Sequence, residues 1–387
     1  MTPRPPRNGP LAGVKVIELA GVGPGPMAAM LLADLGATVL RIDRKQPAEL
    51  GLERPLRYQL LLRNRSSIAL DLKEEKAVAA VLKLVEGADI LIEGFRPGVM
   101  ERLGLGPAPC RERNPRLVYG RVTGWGQTGP LAHAVGHDLN YIAITGALNA
   151  IGQQGLPPAI PLNLLGDFAG GGMYLVCGVL AALVDARATG AGQVVDASIV
   201  EGVLSLQTSL IGMWQAGMLS PERGTNAIDS GSHFYNVYEC ADARWISVAP
   251  IEGRFHAELL QRLGIDAAEI GDYRDRRNWP RARELLAARF ITRTRDEWCS
   301  LLEGTDGCFA PVLSWHEAST HQQIAARQSL VEVDGVLQPA AVPRFSKSPL
   351  DRPTSPKEIS AANTRDALDE WMDIDDIAVL LREGVVQ

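Results

Sequence analysis

Short apolar-rich runs alternate with amphipathic segments over the first third of the chain. Residues 14–19 and 38–42 are apolar-rich runs of the kind found in buried β-strands. Between them, a glycine- and proline-rich turn at residues 21–26 precedes a segment whose apolar residues recur at helical spacing, and Gly36 closes that segment. The order of strand, helix and strand predicts a β-α-β unit.

The same pattern continues further along the chain. Residues 74–86 predict an amphipathic helix, residues 89–92 and 116–122 predict strands, and residues 142–151 and 168–184 predict helices. Strands that alternate with helices imply a parallel sheet with helices on its faces, which is a Rossmann-like α/β domain. The stretch 168–184 is shorter than the roughly 20 residues of a membrane span and contains four glycines. We therefore interpret it as a buried core helix.

The character of the sequence changes near Gly224, where small polar residues precede two predicted strands at 234–240 and 245–249 and short helices at 256–263, 281–290 and 295–302. Because 387 residues exceed one typical domain, we predict a large domain over residues 1–223 and a smaller α+β domain over 224–333. Residues 334–387 then form a linker, rich in proline and serine at 339–357, and a C-terminal segment with a helix at 364–383.

Composition narrows the function classes. Hydrophobic residues make up 46% and charged residues 22% of the chain, as in folded globular proteins. The formal net charge of −6 and the absence of a basic run argue against nucleic acid as a partner. The five cysteines are far apart and form no C-x-x-C pair, so neither a zinc site nor a disulfide framework is indicated. With no secretory signal recognised, we expect a cytoplasmic protein with no membrane partner.

The turn at residues 21–26 also allows a nucleotide interpretation. A glycine-rich loop before a helix can present backbone N–H groups to phosphate. However, Pro26 occupies the third glycine position of G-x-G-x-x-G, and Asp43 is followed by Arg44 and Lys45. An acid at this place suits a nicotinamide ribose and bases suit a phosphorylated one, while a purely structural turn explains the glycines equally well.

Three other features have both a functional and a structural explanation. A single histidine such as His137 is more often packed than catalytic. Asp167, which precedes the apolar helix, would either cap that helix or serve as a partly desolvated acid or base. A set of basic residues near predicted strand ends would either bind an anionic ligand or form a solvated face; its members are Arg41, Arg44, Lys45, Arg63, Arg65 and Lys73.

Taken together, a series of motifs is more specific. In chain order they include Gly-Pro-Gly-Pro26, Leu-Asp-Leu-Lys73, Gly-Phe-Arg-Pro-Gly98, Gly-Trp-Gly-Gln-Thr-Gly-Pro130, Gly-His-Asp-Leu-Asn-Tyr141 and Gly-Asp-Phe-Ala-Gly-Gly172. This series resembles the class III CoA-transferase (CaiB/BaiF) family, and within it the α-methylacyl-CoA racemase branch, over nearly the whole chain.

The resemblance implies roles for individual residues. The carboxylate at Asp167 is the nucleophile of the family's transferases and a proton carrier in its racemases. His137, in the Gly-His-Asp-x-Asn-Tyr motif, favours the racemases, and Glu252 resembles their partner for that histidine. The resemblance also implies a set of residues that contact the CoA part of the substrate: Arg44, Ala69, Leu70, Asp71, Leu72, Lys73, Arg96, Arg102, Gly136, Asp138 and Tyr141.

The implied reaction inverts the carbon next to a thioester carbonyl, with one base on each face and an enolate stabilised by backbone N–H groups near Asp138. It needs no metal or redox cofactor, because CoA is part of the substrate. The resemblance also implies that the C-terminal segment completes the large domain. It further implies an interlocked homodimer whose active site lies between the large domain of one subunit and the small domain of the other. Alternatives are a CoA transferase with Asp167 as covalent nucleophile, a nicotinamide-dependent dehydrogenase and an inactive CoA-binding protein.

Overall fold

The computed structural model describes residues 7–46 and 51–387. Its contacts divide the chain into two compact units. The large unit runs to Thr145 and includes Leu162–Leu206 and Gln328–Gln387, and the small unit consists of Gly146–Pro161 and Gln207–Arg327. The predicted α/β large domain, with a C-terminal segment that returns to it, and the separate smaller domain are thus both present.

The large unit is built on a six-stranded sheet whose neighbouring strands are all parallel. Its strand order is β3-β2-β1-β4-β5-β6, which is the order of a doubly wound Rossmann-like fold. The strands β3 and β6 were not predicted from the sequence. The strands are β1 (Lys15–Leu19), β2 (Thr38–Arg44), β3 (Ser66–Leu70), β4 (Ile90–Glu93), β5 (Val118–Thr123) and β6 (Val194–Ser198).

Helices cover both faces of this sheet, because successive strand residues point in opposite directions. In β1, Val16 belongs to one hydrophobic cluster and Ile17 to the other. Both are fully buried. The helices of the large unit are α1 (Pro24–Asp34), α2 (Glu75–Glu86), α3 (Val99–Arg102), α4 (Pro107–Arg113), α5 (Asp138–Ala143), α7 (Tyr174–Thr189), α8 (Ile199–Leu206), α16 (Ala361–Leu368) and α17 (Ile374–Arg382).

The apolar helix predicted at 168–184 is longer than expected. A π-helix, Leu164–Met173, continues directly into α7, and together they span 26 residues with a mean hydropathy of 1.7 over their most apolar window. Length and composition alone would allow a membrane span. However, Val179 and Leu183 are buried in a core cluster that they share with β4 and β5, as expected of a core helix.

The C-terminal segment joins the free edge of β3. Leu70 forms an antiparallel bridge with Val386, and Ala69 and Gln387 exchange two backbone hydrogen bonds of 3.1 Å. The single helix predicted at 364–383 is wrong, because Trp371 and Met372 turn inward onto the core between α16 and α17. N-terminal to α16, β10 (Leu330–Val333) and β11 (Val336–Pro339) form an antiparallel hairpin.

The small unit contains an antiparallel sheet in the order β7-β8-β9. Two of its strands and three of its helices fall where the sequence predicted them, and β9 was missed. Its strands are β7 (Asn236–Glu239), β8 (Trp245–Val248) and β9 (Phe309–Pro311). Its helices are α6 (Ala147–Ala150), α9 (Thr208–Gln215), α10 (Gly253–Leu263), α11 (Ala267–Ile270), α12 (Trp279–Phe290), α13 (Arg295–Leu302), α14 (Trp315–Thr320) and α15 (Gln322–Ala326).

The predicted domain boundaries, 1–223, 224–333 and 334–387, need correction. Residues 146–161 and 207–223 belong to the small unit, and residues 328–333 belong to the large unit. Arg223 shows why, because its guanidinium donates to the backbone oxygen of Leu156 (3.0 Å from Nε) and to Asn149 Oδ1 (3.3 Å). Such contacts between distant segments leave no trace in local composition. The helix predicted at 142–151 likewise divides into α5 and α6, with Gly146 in a left-handed conformation between them.

Candidate active site

The residues with candidate chemistry in the large unit gather at the carboxyl edge of the sheet. In open α/β sheets this edge binds ligands, at the point where the strand order reverses. Here the reversal lies between β1 and β4. The turn after β1 contains Gly23, whose φ of 68° is one that glycine adopts without strain. A Cβ on Gly23 would lie 2.9 Å from Asp167 Oδ2, so this turn lies against a carboxylate.

The same turn is poorly suited to hold a dinucleotide phosphate. Such a site depends on free N–H groups at the helix N-terminus, and α1 begins with Pro24 and has Pro26 two residues later. Neither proline has an N–H group. Together with the carboxylate of Asp167 beside Gly23, this argues against the nicotinamide-dependent alternative.

Asp167 lies in the first turn of the π-helix. The N-cap of that helix is Asn163, so the prediction that Asp167 caps the helix is wrong. Its carboxyl group is half-buried. Desolvation, together with the nearby charge of Asp138, raises its pKa to about 6, while a hydrogen bond from Asn163 and the charge of His137 act in the opposite direction. A carboxylate with such a pKa is a stronger base than usual and is still ionised at neutral pH.

The motif residues at 137 and 138 begin α5 and are brought to Asp167 by the fold. His137 is the exposed N-cap residue, and its backbone N–H donates to Asn140 Oδ1 at 3.0 Å. Asp138 is 6% exposed, and its Oδ2 accepts the backbone N–H of Asp167 at 2.6 Å. The structure therefore places both candidate bases, His137 and Asp167, in one region of the large unit.

Tyr141 and Gly136 shape the loop in front of His137. The Tyr141 ring leaves no room for a Cβ on Gly124 or Gly136, and its hydroxyl donates to the backbone oxygen of Gly136. Trp125 meets the ring edge-to-face, with centroids 4.8 Å apart. These contacts hold the backbone that leads to His137, and the predicted contact of Gly136 and Tyr141 with CoA stays a prediction.

The basic cluster predicted from the sequence divides into two groups. Arg41 and Arg65 both pair with the fully buried Glu18, at 3.0 Å from Arg41 Nη1 to Glu18 Oε1. Arg63 pairs with buried Asp34, at 2.5 Å from Nη2 to Oδ2. A ligand-binding role is therefore wrong for these three arginines, because their charges are buried in pairs inside the fold.

The exposed members of the cluster lie at the carboxyl ends of strands. Arg44 ends β2, and its guanidinium carbon lies 5.7 Å from the centroid of the Phe95 ring. Arg96 follows Phe95 in the loop after β4 and is exposed. Lys45 instead donates from Nζ to the backbone oxygen of Gly384 at 2.5 Å. Arg44 and Arg96 are thus placed to meet an anionic ligand at this edge.

The segment after β3 leads into an open groove. Ala69 and Leu70 are buried, and both backbone hydrogen-bonding groups of Ala69 are engaged by Gln387. Asp71 Oδ1 accepts the backbone N–H of Lys73 at 3.1 Å. Leu72, Lys73 and Arg102 line a groove of about 760 Å³ along α2. The structure therefore brings three of the predicted CoA contacts to one groove.

Glu252 belongs to the small unit. It is the exposed N-cap residue of α10, and its predicted role toward the histidine stays a prediction. The sequence predicted a contact of Asp138 with CoA and backbone donors near it, but not the burial of its carboxylate or the hydrogen bond from Asn163 to Asp167. The position of Asp138 directly after His137 was the only signal for a role of its side chain. Among residues 7–46 and 51–387, no three His, Cys, Asp or Glu side chains are grouped closely enough to hold a metal ion.

Comparisons with known proteins identify the family of the chain. Residues 11–358 match CoA-transferase family III. The chain belongs to this family. Among family III relatives, it is 40% identical to alpha-methylacyl-CoA racemase of Homo sapiens (88% of this chain, 90% of the relative) and of Mus musculus (88% and 87%). A crystal structure of a CAIB/BAIF family protein from Brucella suis has a TM-score of 0.78 and 26% identity, covering 91% of this chain and 97% of that one.

Proposed function

We propose that this chain is an isomerase that interconverts (R)- and (S)-2-methylacyl-CoA thioesters. The observation that carries the proposal is the hydrogen bond from the Asp167 backbone N–H to Asp138 Oδ2. Because Asp138 directly follows His137 in the chain, this bond brings the two candidate proton carriers, His137 and Asp167, to one place. The 40% identity to two mammalian alpha-methylacyl-CoA racemases supports the same conclusion.

Inversion of the carbon beside a thioester carbonyl requires one base on each face of the substrate. Neutral His137 takes the proton from one enantiomer, and ionised Asp167 takes it from the other. In each direction the second residue, in its protonated form, returns a proton to the opposite face. The raised pKa of Asp167, about 6, suits both halves of this cycle, since the group is basic when ionised and acidic when protonated.

The enolate formed between the two proton transfers needs hydrogen-bond donors aimed at the thioester oxygen. Asp138 occupies the first position of α5, where a backbone N–H has no acceptor within the helix. We assign this N–H as a donor to the developing oxyanion. Tyr141 fixes the preceding loop through its hydrogen bond to Gly136, which keeps the donor in place.

The CoA part of the substrate carries anionic phosphates. We assign Arg44 and Arg96 to charge-assisted contacts with them, and Lys73 and Arg102 to the groove along α2. CoA is part of the substrate, and the proposed proton transfer uses only side chains of the protein and its backbone N–H groups. The reaction therefore requires no metal or redox cofactor.

We further propose an interlocked homodimer in the cytoplasm, in which Glu252 of the partner subunit pairs with His137 and helps to relay its proton. Membership of the family supports the assembly, and the absence of paired cysteines in the sequence supports the reducing compartment.

Exchange of the α-hydrogen in deuterated water tests the proposed function, with each enantiomer of a 2-methylacyl-CoA supplied separately. His137→Ala should abolish inversion in both directions and keep exchange of the hydrogen that faces Asp167. Asp167→Asn should show the complementary pattern. Each loss should be about 10²–10⁴-fold. The matched controls His133→Ala and Asp369→Asn change exposed residues and should behave as the wild type.

A CoA transferase would give a different result. Acyl transfer to a free carboxylic acid without α-exchange, together with an acyl group on Asp167 that hydroxylamine traps, would replace the racemase proposal. If both variants keep near-normal inversion, the assignment of the two bases is wrong.

A further inference from the structure

The Asp138 side chain is buried although its neighbour His137 is exposed. Oδ2 accepts the backbone N–H of Asp167 at 2.6 Å. Within the described ranges, Oδ1 has no hydrogen-bond partner. Burying a carboxylate is costly unless its oxygens are well paired. The proposed proton transfers use only the backbone N–H of Asp138, so the buried carboxylate has no function in them.

The Asp138 carboxylate contacts the first turn of the π-helix. A π-helix is rare, and its wider turn is frequently found at functional sites. Here the Phe168 N–H donates to the backbone oxygen of Asn163, five residues earlier, at 3.3 Å. A Cβ on Gly166 would overlap Asp138 Oδ2, so the first turn of the π-helix and the carboxylate are in direct contact. The hydrogen bond to Oδ2 thus satisfies the N–H group of Asp167 itself, within the turn that carries its side chain.

We propose that the Asp138 carboxylate is a positioning residue for Asp167, which fixes the backbone of the π-helical turn and keeps a negative charge beside the Asp167 carboxyl. This inference rests on the proposed function, in which Asp167 is one of the two bases. A neighbouring negative charge favours the protonated form of a carboxyl group. It therefore makes Asp167 a stronger base than an isolated aspartate.

The other groups that face Asp167 are few. Asn163, on the same helix, donates a hydrogen bond to it, and His137 acts on it from α5. The pKa of Tyr141, also on α5, is raised by burial and by the charges of Asp167 and Asp138, and the charge of Arg96 acts in the opposite direction. From α1, the turn at Gly23 contributes backbone only. Asp138 is thus the negative group whose charge raises the pKa of Asp167.

Two variants separate the charge of Asp138 from its hydrogen bond. Asp138→Asn keeps an oxygen that can accept the N–H of Asp167 and removes the charge, whereas Asp138→Ala removes both the charge and the acceptor. Asp369→Asn, at an exposed position, is the matched control. Two readouts are measured: the pH dependence of α-exchange, and the titration of Asp167 by ¹³C NMR in aspartate-labelled protein, with the signal assigned from Asp167→Asn.

In Asp138→Asn, the Asp167 signal should titrate at a lower pH than in the wild type, and the acid limb of the rate profile should move to lower pH with little change in KM. Asp138→Ala should lose of the order of 10²-fold in kcat, because the Asp167 backbone loses its anchor. An unchanged Asp167 titration in Asp138→Asn would overturn the inference. The NMR readout does not depend on turnover, so it decides this point even if the wild type shows no racemase activity. Should Asp138→Ala fail to fold, Asp138→Asn alone provides the test.

Discussion

Acid should weaken the small unit through one buried histidine pair. The Nε2 atoms of His233 and His256 lie 2.8 Å apart, and the two residues are 0% and 5% exposed. Burial, with contributions from the charges of His256 and Arg283, lowers the pKa of His233 to about 3. Burial alone lowers the pKa of His256 to about 4, and Tyr273 stacks on its ring with centroids 4.5 Å apart.

The sign and size of the effect follow from these pKa values. In the unfolded chain each imidazole titrates near 6.5, so below that pH the unfolded chain binds protons that the folded unit does not. Stability is therefore full above about pH 6.5 and falls as the pH drops toward the folded-state values. Between pH 8 and pH 5, each imidazole should remove about 2 kcal/mol from the free energy of unfolding.

The perturbation is the double variant His233→Met/His256→Phe, because a single replacement would leave the other nitrogen buried without a partner. Hydrogen exchange of the α10 amides, corrected for the intrinsic exchange rate, measures the opening free energy of the small unit separately. The wild type should lose about 4 kcal/mol between pH 8 and pH 5, and the double variant should lose much less. The control His316→Gln, at an exposed position, should follow the wild type. Equal pH slopes in the wild type and the double variant would show that the histidine pair does not cause the loss of stability in acid.

Two further predictions concern substrate and assembly. Arg44→Ala should weaken the binding of CoA and acyl-CoA by about 1.5–3 kcal/mol, because a charge-assisted contact is lost. Calorimetry measures the affinity, and Arg116→Ala, at an exposed position, is the control. Unchanged affinity would assign Arg44 to a solvated face. Inactive His137→Ala and Glu252→Ala chains should regain activity when unfolded and refolded together, because a mixed dimer contains one site with both residues intact. No recovery would contradict a site shared between subunits.

The alternation of strands and helices in the large unit could be predicted because it follows from the spacing of apolar residues within each segment. β1, β2, β4 and β5 were all found this way. β3 was missed because its apolar residues follow Arg63, Asn64 and Arg65, which look like a polar loop until their charges are paired with distant acids. β6 was missed because Asp196 and other exposed positions interrupt its apolar residues at the edge of the sheet.

The candidate site was only partly accessible from the sequence. The motifs identified His137 and Asp167, since similarity of sequence records residue types. The π-helical turn around Asp167 was not predicted, because a helix widens in response to its neighbours. Here those neighbours include the buried carboxylate of Asp138 and the backbone of α8, where Gly202 packs against Gly170.

Most strands and helices of the large unit, the family and the residue types at the site could be predicted from the sequence, because these depend on local pattern and on motifs. Which charged side chains are exposed to a ligand depends on how the chain folds. Arg65 is buried and pairs with Glu18, 47 residues earlier in the chain, whereas Arg44 is exposed. A charge is neutralised by whatever the fold places within a few ångströms of it, and that distance is not a property of the local sequence.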